Sequence, residues 1–526
     1  MRPGAAAVVV AMVLVAMATT VVTAAEVPLV DTKDGRVSGI VEKSVQGREF
    51  DSFYGIPFAR PPVGKLRFKD PESLPAWKGT REASVPAAQC LQFPFLAVGA
   101  GKVEASGEED CLYLNVFTPK VKKERVLPVM VWIHGGAFFC GGAKEYLPHV
   151  LLDKDVVLVV VQYRLGVLGL FSRAILQSGT ALCPWTTNNS PRKAALHVAD
   201  VVGCSTDKGS KSLLKCLQEI DAPAFLQILA DLREWNFLPL TFAPWVDGQY
   251  LPDHPAALVR DGRHAKVDII SGVTRDDGAI FHLDEAAGGS LLEDLQNNFS
   301  VTGPASLQSV DKSEDPVAVA RMLYLHYMGT THVTKAETDG LMRLLSHRHF
   351  AVCHDLTTAH HAHHLHPTKK TFRYELQHVA ELSLWNLICL SCENNMVCHG
   401  DDLYYLFRGG PLLTPPIPNL KRPKDLQRPD DLALRDIITT LWTNFAATGN
   451  PTPDASLGFT WEPSTTDNLK YLSLKPSPSM QPDSRKEARK FHNSLPTQEN
   501  IILHPHLVEG GSYEPEDATR PSKTEL

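Results

Sequence analysis

The chain has 526 residues, of which 44% are apolar and 21% are charged, and these are ordinary values for a large globular protein with a substantial core. It carries a net charge of −7 without a long basic run, which argues against nucleic acid or an anionic membrane surface as its main partner. A small molecule is therefore the expected partner, and the sequence leaves the oligomeric state open.

The first residues have the pattern of a secretory signal. An apolar run from Ala5 to Met17 follows Arg2, and the small residues Thr23-Ala24-Ala25 resemble a signal-peptidase site. This pattern predicts a signal peptide at 1–25. A membrane anchor is the less favoured alternative because the run is short and rich in alanine and valine, so we expect no transmembrane anchor.

Apolar runs that end in glycine or polar residues predict buried strands that deliver loops to a site. Such runs occupy Val129–Ile133, Val156–Val161, Ala174–Leu176 and Lys266–Val273. The alternating segment Thr371–Leu376 predicts a further strand, and the spacing of Leu432–Ala447 predicts a helix. Strands mixed with helices predict an α/β fold with its functional residues on loops after the strands.

The carboxyl-terminal part becomes polar and proline-rich from Pro478 onward, which predicts a loosely ordered tail at 478–526 after a globular domain at 26–477. The last four residues, Lys523-Thr524-Glu525-Leu526, resemble a Lys-Asp-Glu-Leu retrieval signal with Thr in place of Asp. The predicted location is therefore the secretory pathway, either the endoplasmic reticulum lumen or outside the cell.

Ten cysteines in an oxidising compartment predict disulfide bonds. Two pairs stand out by their spacing, namely Cys90 with Cys111 and Cys204 with Cys216. Each would close a short loop, which is worth roughly 3 kcal/mol in the chain-entropy account. The other six cysteines have no evident partner. Asn298 begins an Asn-Phe-Ser sequon and is the candidate glycosylation site.

Five segments spread along the chain carry a family resemblance: Phe53–Ala59, Glu109–Val116, Trp132–Gly136, Asn444–Ala446 and Thr448–Pro451. They resemble the type B carboxylesterase and cholinesterase family, and most closely its arthropod, juvenile-hormone-esterase-like or venom-carboxylesterase-like branch. The resemblance implies an α/β-hydrolase with a large, mostly parallel central sheet. It also implies hydrolysis of small carboxylic esters through a serine acyl-enzyme, with no metal and no organic cofactor.

The same resemblance assigns roles to individual positions. His399 looks like the general base, and Asp277, where the family usually has Glu, looks like the acid that orients it. Asp276 is the competing choice for the acid. The loop Gly135-Gly136-Ala137 looks like the oxyanion hole, with the backbone N–H groups of its last two residues as donors.

The sequence lacks the motif of the expected nucleophile, since no Gly-x-Ser-x-Gly turn occurs in its 526 residues. In the family, roughly seventy to eighty residues with a central strand, the nucleophile turn and two helices separate segments like Val159–Arg164 and Phe171–Gly179. Here Leu165–Leu170 joins them directly. Parallel strands need a crossover of about a dozen residues or more. We therefore predict an internal deletion near 165–172 and a sheet missing one central strand.

Ser178 is the candidate substitute for that nucleophile, but we do not expect it to act as one. It follows a predicted strand, but its flanks Leu176 and Thr180 lack the glycines that a nucleophile turn requires. The family resemblance gives Ser178 a supporting role, as a buried serine within the catalytic hydrogen-bond network.

Two clusters resemble metal sites but favour other interpretations. Five histidines, His360, His361, His363, His364 and His366, fall on a helix that the resemblance places facing solvent, where an adventitious metal contact is the favoured interpretation. Three cysteines, Cys389, Cys392 and Cys398, imitate a zinc knuckle, but a disulfide is commoner in the secretory pathway. We therefore predict no metal.

Three hypotheses follow for the function. The chain is an exon-skipped or wrongly predicted form of an active esterase, a non-catalytic relative used for binding or adhesion, or a misfolded isoform. The first is favoured, because a chain without catalysis has no evident reason to retain the base, the acid and the oxyanion loop together.

Overall fold

The computed structural model describes residues 27–92, 105–120, 125–163, 172–283, 289–365, 367–388, 395–409 and 425–507. The predicted signal peptide, the junction at Leu165–Leu170 and the last four residues lie outside these ranges. The described part contains thirteen strands: β1 (Leu29–Thr32), β2 (Gly35–Ser38), β3 (Ile40–Lys43), β4 (Glu49–Pro57), β5 (Thr80–Glu82), β6 (Tyr113–Pro119), β7 (Val129–Ile133), β8 (Val157–Val161), β9 (Arg173–Gln177), β10 (Asp268–Thr274), β11 (Thr371–Leu376), β12 (Tyr471–Leu474) and β13 (Ser479–Gln481).

The described part also contains thirteen α-helices: α1 (Pro191–Val201), α2 (Ser210–Glu219), α3 (Ala222–Asp231), α4 (Pro255–Arg260), α5 (Leu291–Asn297), α6 (Phe299–Ser306), α7 (Pro316–Met328), α8 (Thr338–Ser346), α9 (Val352–His363), α10 (Leu384–Ile388), α11 (Pro429–Thr448), α12 (Lys486–Asn493) and α13 (Gln498–Leu503). The predicted α/β class is therefore confirmed, and each predicted strand and the predicted helix correspond to an observed element.

The described strands of the core form two separate five-stranded sheets. The amino-terminal sheet has the order β3-β4-β6-β8-β7, and the carboxyl-terminal sheet has the order β13-β12-β11-β10-β9. β7 pairs with β8 in parallel, and the pairs β9–β10, β10–β11 and β11–β12 are also parallel, whereas β13 pairs antiparallel to β12. A small third sheet joins β1, β2 and β5. β7 is thus one edge of the amino-terminal sheet and β9 is one edge of the carboxyl-terminal sheet, and no described strand pairs with both of them.

The carboxyl-terminal sheet is the better buried of the two. All seven residues of β10 and all six of β11 are buried. On β11, Phe372 and Tyr374 contact α11 through Phe445 and Trp442, so this face belongs to the apolar core. The helix starts with Pro429, whose missing N–H costs nothing in a first turn, and ends at Gly449, which adopts φ +79°.

The prediction of a loosely ordered tail from Pro478 was wrong for the described residues up to 507. β13, α12 and α13 pack onto the fold, and Leu495 and Ile502 are fully buried. The buried carboxylate of Asp355 on α9 binds Arg485 and Arg489 of this segment. The polar residues that suggested disorder therefore make buried ion pairs, which sequence composition does not reveal.

Three disulfides are present in the described part. Cys90–Cys111 and Cys204–Cys216 are the two pairs singled out by their spacing. The third joins two cysteines that had no evident partner, Cys183 and Cys353, across 170 residues. Cys140 and Cys398 are free thiols, whereas Cys389 and Cys392 lie outside the described ranges. No described helix has the length and apolar character that crossing a membrane requires.

Candidate active site

Asp277 lies just beyond the carboxyl end of β10 and is 1% exposed. The turn after the strand folds its carboxylate back, so that Oδ2 accepts the Thr274 N–H at 3.0 Å. Both carboxylate oxygens also accept the hydroxyl of Ser178, at 2.8 and 2.9 Å. A buried carboxylate needs such donors to offset its lost hydration. Asp277 is therefore held in one orientation beneath the end of the sheet.

His399 lies on a separate loop that a backbone bridge between Asp276 and Cys398 attaches to the end of β10. Its Nδ1 is 2.9 Å from Oδ1 of Asp277, and its ring stacks on Phe350 with centroids 4.8 Å apart. The next residue, Gly400, adopts φ +82°, a conformation that favours glycine, and it also lines the cavity that His399 lines. This is the geometry in which a carboxylate fixes the tautomer and orientation of an imidazole.

Asp276, the competing candidate for the acid, faces elsewhere. Its Oδ2 accepts the Val397 N–H at 2.9 Å and pairs with Arg275. It thus holds the loop that carries His399, while Asp277 contacts the imidazole itself. The structure places the two adjacent carboxylates in different surroundings, and Asp277 is the one within hydrogen-bond distance of His399.

The predicted oxyanion loop follows β7 and has an unusual backbone. Gly136 adopts φ +125°, and a Cβ there would lie 1.9 Å from the carbonyl oxygen of Cys140, so only glycine fits. Ala137 and Phe138 have φ values of +49° and +65°, which are strained for residues with side chains. Within the described residues, the N–H groups of Gly136 and Ala137 meet no acceptor. Two free amides on a strained loop can serve as oxyanion donors.

These groups surround one cavity of about 320 Å³. Gly135, Gly136, Ala137, Ser178 and His399 all line it. Much of the remaining wall is aromatic or aliphatic, namely Trp132, Phe138, Trp185, Phe237, Leu238, Ile280, Phe281 and Phe350. An apolar cavity with a few convergent polar groups is the usual form of a small-molecule site.

Ser178 lies in this cavity wall, but it is 3% exposed and its backbone has φ +49°. Its hydroxyl donates to the carboxylate of Asp277, and no hydrogen bond joins it to His399 among the described contacts. A nucleophile must give its proton to the base and face the substrate. The observed contacts are those of a residue that orients the acid.

A second pair of carboxylates, which the sequence analysis missed, lies behind His399. Asp402 accepts Gln177 Nε2 at 2.7 Å and the Tyr374 hydroxyl at 2.9 Å. Burial raises the pKa of Asp401 to about 8 and also raises the pKa of Asp402. Gln177 is the last residue of β9 and directly precedes Ser178, so its hydrogen bond to Asp402 ties the loop of His399 to the edge strand of the carboxyl-terminal sheet. In the sequence, the only sign of this network is that two aspartates, Asp401 and Asp402, directly follow His399-Gly400.

No metal site is found among the described residues, where no three His, Cys, Asp or Glu side chains are grouped suitably. The expectation that the histidine-rich helix faces solvent was wrong for His361, which is buried and lies 2.9 Å from the Thr371 hydroxyl. His364 lies 2.8 Å from the carbonyl oxygen of Arg260. His366 lies outside the described ranges.

Comparison with known proteins places this geometry in context. The carboxylesterase family matches residues 26–173 and 169–492. The chain is 28% identical over 522 aligned positions to juvenile hormone esterase of Tribolium castaneum, covering 82% of the chain and 85% of the relative. It is 25% identical over 554 positions to venom carboxylesterase-6 of Apis mellifera, covering 91% and 96%. It is 28% identical over 535 positions to bile salt-activated lipase of Bos taurus, covering 86% and 85%.

Proposed function

The chain belongs to the carboxylesterase family, whose fold is the α/β-hydrolase, and from this premise we propose that its complete form hydrolyses small carboxylic esters through a serine acyl-enzyme. We propose further that the chain as it stands turns over no ester. The observation that carries both statements is that His399, which is paired with the buried Asp277, lines a cavity together with the loop Gly135-Gly136-Ala137, in a sequence without a Gly-x-Ser-x-Gly turn.

In the complete form, the residues of this chain would divide the chemistry among them. His399 Nε2 would take the proton of the attacking serine and then return it to the leaving alcohol. Asp277 would hold the imidazole and stabilise its protonated state. The amides of Gly136 and Ala137 would donate to the tetrahedral oxyanion, which is the interaction that most lowers the barrier in acyl transfer. No metal or organic cofactor takes part.

Two features of the comparisons support the internal deletion. The family matches in two segments that meet at 169–173, beside the junction inferred from the sequence. The alignments to venom carboxylesterase-6 and to bile salt-activated lipase run over 554 and 535 positions, which exceeds the 526 residues of the chain. These relatives therefore have residues without a counterpart here, as a missing nucleophile segment requires.

The secretory pathway is the proposed location. Three disulfides are typical of an oxidising compartment, and the first residues have a signal-peptide pattern. Asn298 is exposed at the start of α6, where an attached sugar would reach solvent. The terminal Lys-Thr-Glu-Leu favours retention in the endoplasmic reticulum slightly over secretion.

The second candidate function is ligand binding without turnover. It is favoured by the cavity itself, which retains an aromatic wall although no serine is presented to His399 among the described contacts. A protein of this kind would bind apolar esters and release them unchanged.

The proposed function is tested by ester turnover and active-site labelling of two proteins. The chain as it stands should hydrolyse p-nitrophenyl acetate at the background rate and take up no fluorophosphonate probe. A chain in which the corresponding segment of a relative is inserted between Leu165 and Leu170 should gain both signals. The matched control is His399→Ala in the repaired chain, which should lose turnover because the serine then has no base.

A folded repaired chain that remains inert would favour the binding function over the esterase. Saturable binding of an apolar ester to both chains, without product, would establish that alternative. Sequencing the transcript across the codons for Gly166 to Arg173 decides whether the shortened form is made.

A further inference from the structure

Seven histidines from three segments of the chain meet at the carboxyl end of α9, and the proposed ester chemistry uses none of them. We call them the histidine cluster: His264 between α4 and β10, His360, His361, His363 and His364 at the end of α9, and His504 and His506 after α13. The ring centroid of His264 lies 5.2 Å from that of His361 and 6.0 Å from that of His364. The centroids of His360 and His504 are 6.1 Å apart. Imidazole rings therefore contact one another across the boundaries between these segments.

The inner rings of the cluster are shielded from water. His361 is 6% exposed, and both ring nitrogens of His264 are buried without a hydrogen-bond partner among the described residues. Burial is the main cause of the low pKa of about 4 at His264, His360 and His361, and neighbouring histidines contribute to it. These three rings are therefore neutral at pH 7.

The carboxylate that faces the cluster from the sheet is already engaged. Asp268, at the start of β10, acts on His361. It pairs with Lys369 at 3.2 Å and also accepts the backbone N–H of Lys370. Lys266 adds a positive charge near His264. Protonated rings would thus meet a surrounding that is already balanced or positive.

The carboxylates beside α4 are engaged in the same way. Asp261, which follows the helix, pairs with Arg260 at 2.7 Å, and Asp253, which precedes it, pairs with Arg263 at 2.9 Å. Each of the three carboxylates named around the cluster therefore has a Lys or Arg partner of its own.

The cluster lies where α4 and α13 attach to α9. His364 Nε2 is 2.8 Å from the carbonyl oxygen of Arg260 at the end of α4, and the Arg260 guanidinium donates to the carbonyl oxygen of Ile502 in α13 at 3.0 Å. Ile502 and Leu503 pack with Ala256 of α4 in a small apolar group that is separate from the main core. Two short helices with a small core of their own are the kind of unit that opens locally.

We propose that the histidine cluster is an acid-sensitive switch, whose protonation releases α4 and α13 from α9 while the rest of the fold stays closed. In the closed state, protonation places like charges on rings that contact one another and that water does not reach. Opening separates these charges and hydrates them. The switch needs no nucleophile and does not depend on the proposed esterase activity.

The direction of the pH effect follows from linkage. The pKa of His264, His360 and His361 is about 4 in the closed state, and in an open, hydrated state it returns toward the ordinary value of 6.5. The open state therefore binds more protons between these values, and acid favours opening as the pH falls from 6.5 to 4. At pH 5 a single such histidine shifts the opening equilibrium by about thirtyfold.

Amide hydrogen exchange at pH 7.5 and pH 5, corrected for the intrinsic effect of pH, measures this opening. We expect the protection of α4 and α13 to fall by about thirtyfold or more at pH 5, and to lie below that of α11, which remains closed. In the double variant His264→Gln/His361→Gln, most of this pH dependence should disappear because glutamine binds no proton. The matched control is His349→Gln, which removes a fully buried histidine outside the cluster and should keep the pH dependence of α13.

Unchanged protection of α13 between the two pH values would overturn the proposal. Equal protection of α13 and α11 at pH 5 would do so as well, because the whole fold would then open together. An unaltered pH dependence in the double variant, or an equal loss of it in His349→Gln, would show that other groups carry the effect. The comparison of α13 with α11 in the unchanged chain needs no variant, so it decides between local and global opening even if the double variant does not fold.

Discussion

Substitution of Asp355 tests the ion-pair network that fixes the carboxyl-terminal segment. This carboxylate is fully buried on α9 and binds Arg373 of β11, Arg485 and Arg489. Burial by itself would raise the pKa of Asp355, but the guanidinium groups around it hold the pKa below its ordinary value. In Asp355→Asn, all three guanidinium groups lose their shared counter-charge.

The size of the effect follows from the partners that remain. Arg485 would keep Glu375, and Arg489 would keep Asp483, but Arg373 would have no carboxylate among its described ion pairs. An uncompensated buried charge costs about 3–5 kcal/mol, against a total stability of roughly 5–15 kcal/mol. Urea unfolding should therefore show a large fall in midpoint, and hydrogen exchange should show lost protection in α12 and α13.

The matched control is Asp483→Asn. This carboxylate is partly exposed, and its one described ion pair is with Arg489. It also accepts the Arg485 N–H at 3.1 Å, which the side-chain oxygen of asparagine can still do, so the substitution should cost less than about 1 kcal/mol. A free energy of unfolding for Asp355→Asn within about 1 kcal/mol of that of the unchanged chain would show that the network does not hold the segment. An equal loss of stability in the two variants would show the same.

Two further predictions concern stability. Replacing both cysteines of the Cys183–Cys353 disulfide by serine should lower the free energy of unfolding by about 5 kcal/mol, and the same change at Cys204–Cys216 should lower it by about 3 kcal/mol. The costs differ because the first disulfide closes a loop of 170 residues and the second a loop of 12. Equal unfolding midpoints for the two variants would contradict this prediction. Burial lowers the pKa of His349 from 6.5 to about 3, so the unfolded chain binds more protons between these values and stability falls as pH drops through that window. At pH 5 the loss from this residue is on the order of 2 kcal/mol, and His349→Gln, measured by urea unfolding at pH 7.5 and 5, should show a correspondingly smaller pH dependence.

Much of the sheet could be predicted from the sequence because its strands are short, continuous apolar runs. Val129–Ile133 and Thr371–Leu376 were predicted with their observed bounds. The alternation in the second has a physical cause, since Phe372 faces the core while Arg373 and Glu375 face the buried ion-pair network. The local sequence pattern is sufficient to predict a strand when each face of that strand packs against a single kind of surroundings, either the apolar core or polar partners.

Long-range contacts were beyond the same reasoning. The Cys183–Cys353 bond and the pairing of Arg485 with Asp355 join residues more than a hundred positions apart, and composition near either partner gives no sign of the other. Short polar helices such as α12 are indistinguishable from a disordered tail until their ion partners are known. The contact between His399 and Asp277 spans 122 residues and was anticipated only through the family resemblance.

Intact-mass spectrometry after exposure to a fluorophosphonate tests directly whether the chain presents a reactive serine. We expect no added mass on the chain as it stands, and one adduct per molecule on the inserted serine of the repaired chain. Stoichiometric labelling of Ser178, or of any other serine in the unrepaired chain, would contradict the claim that this polypeptide has a base and an acid but no nucleophile for them to activate.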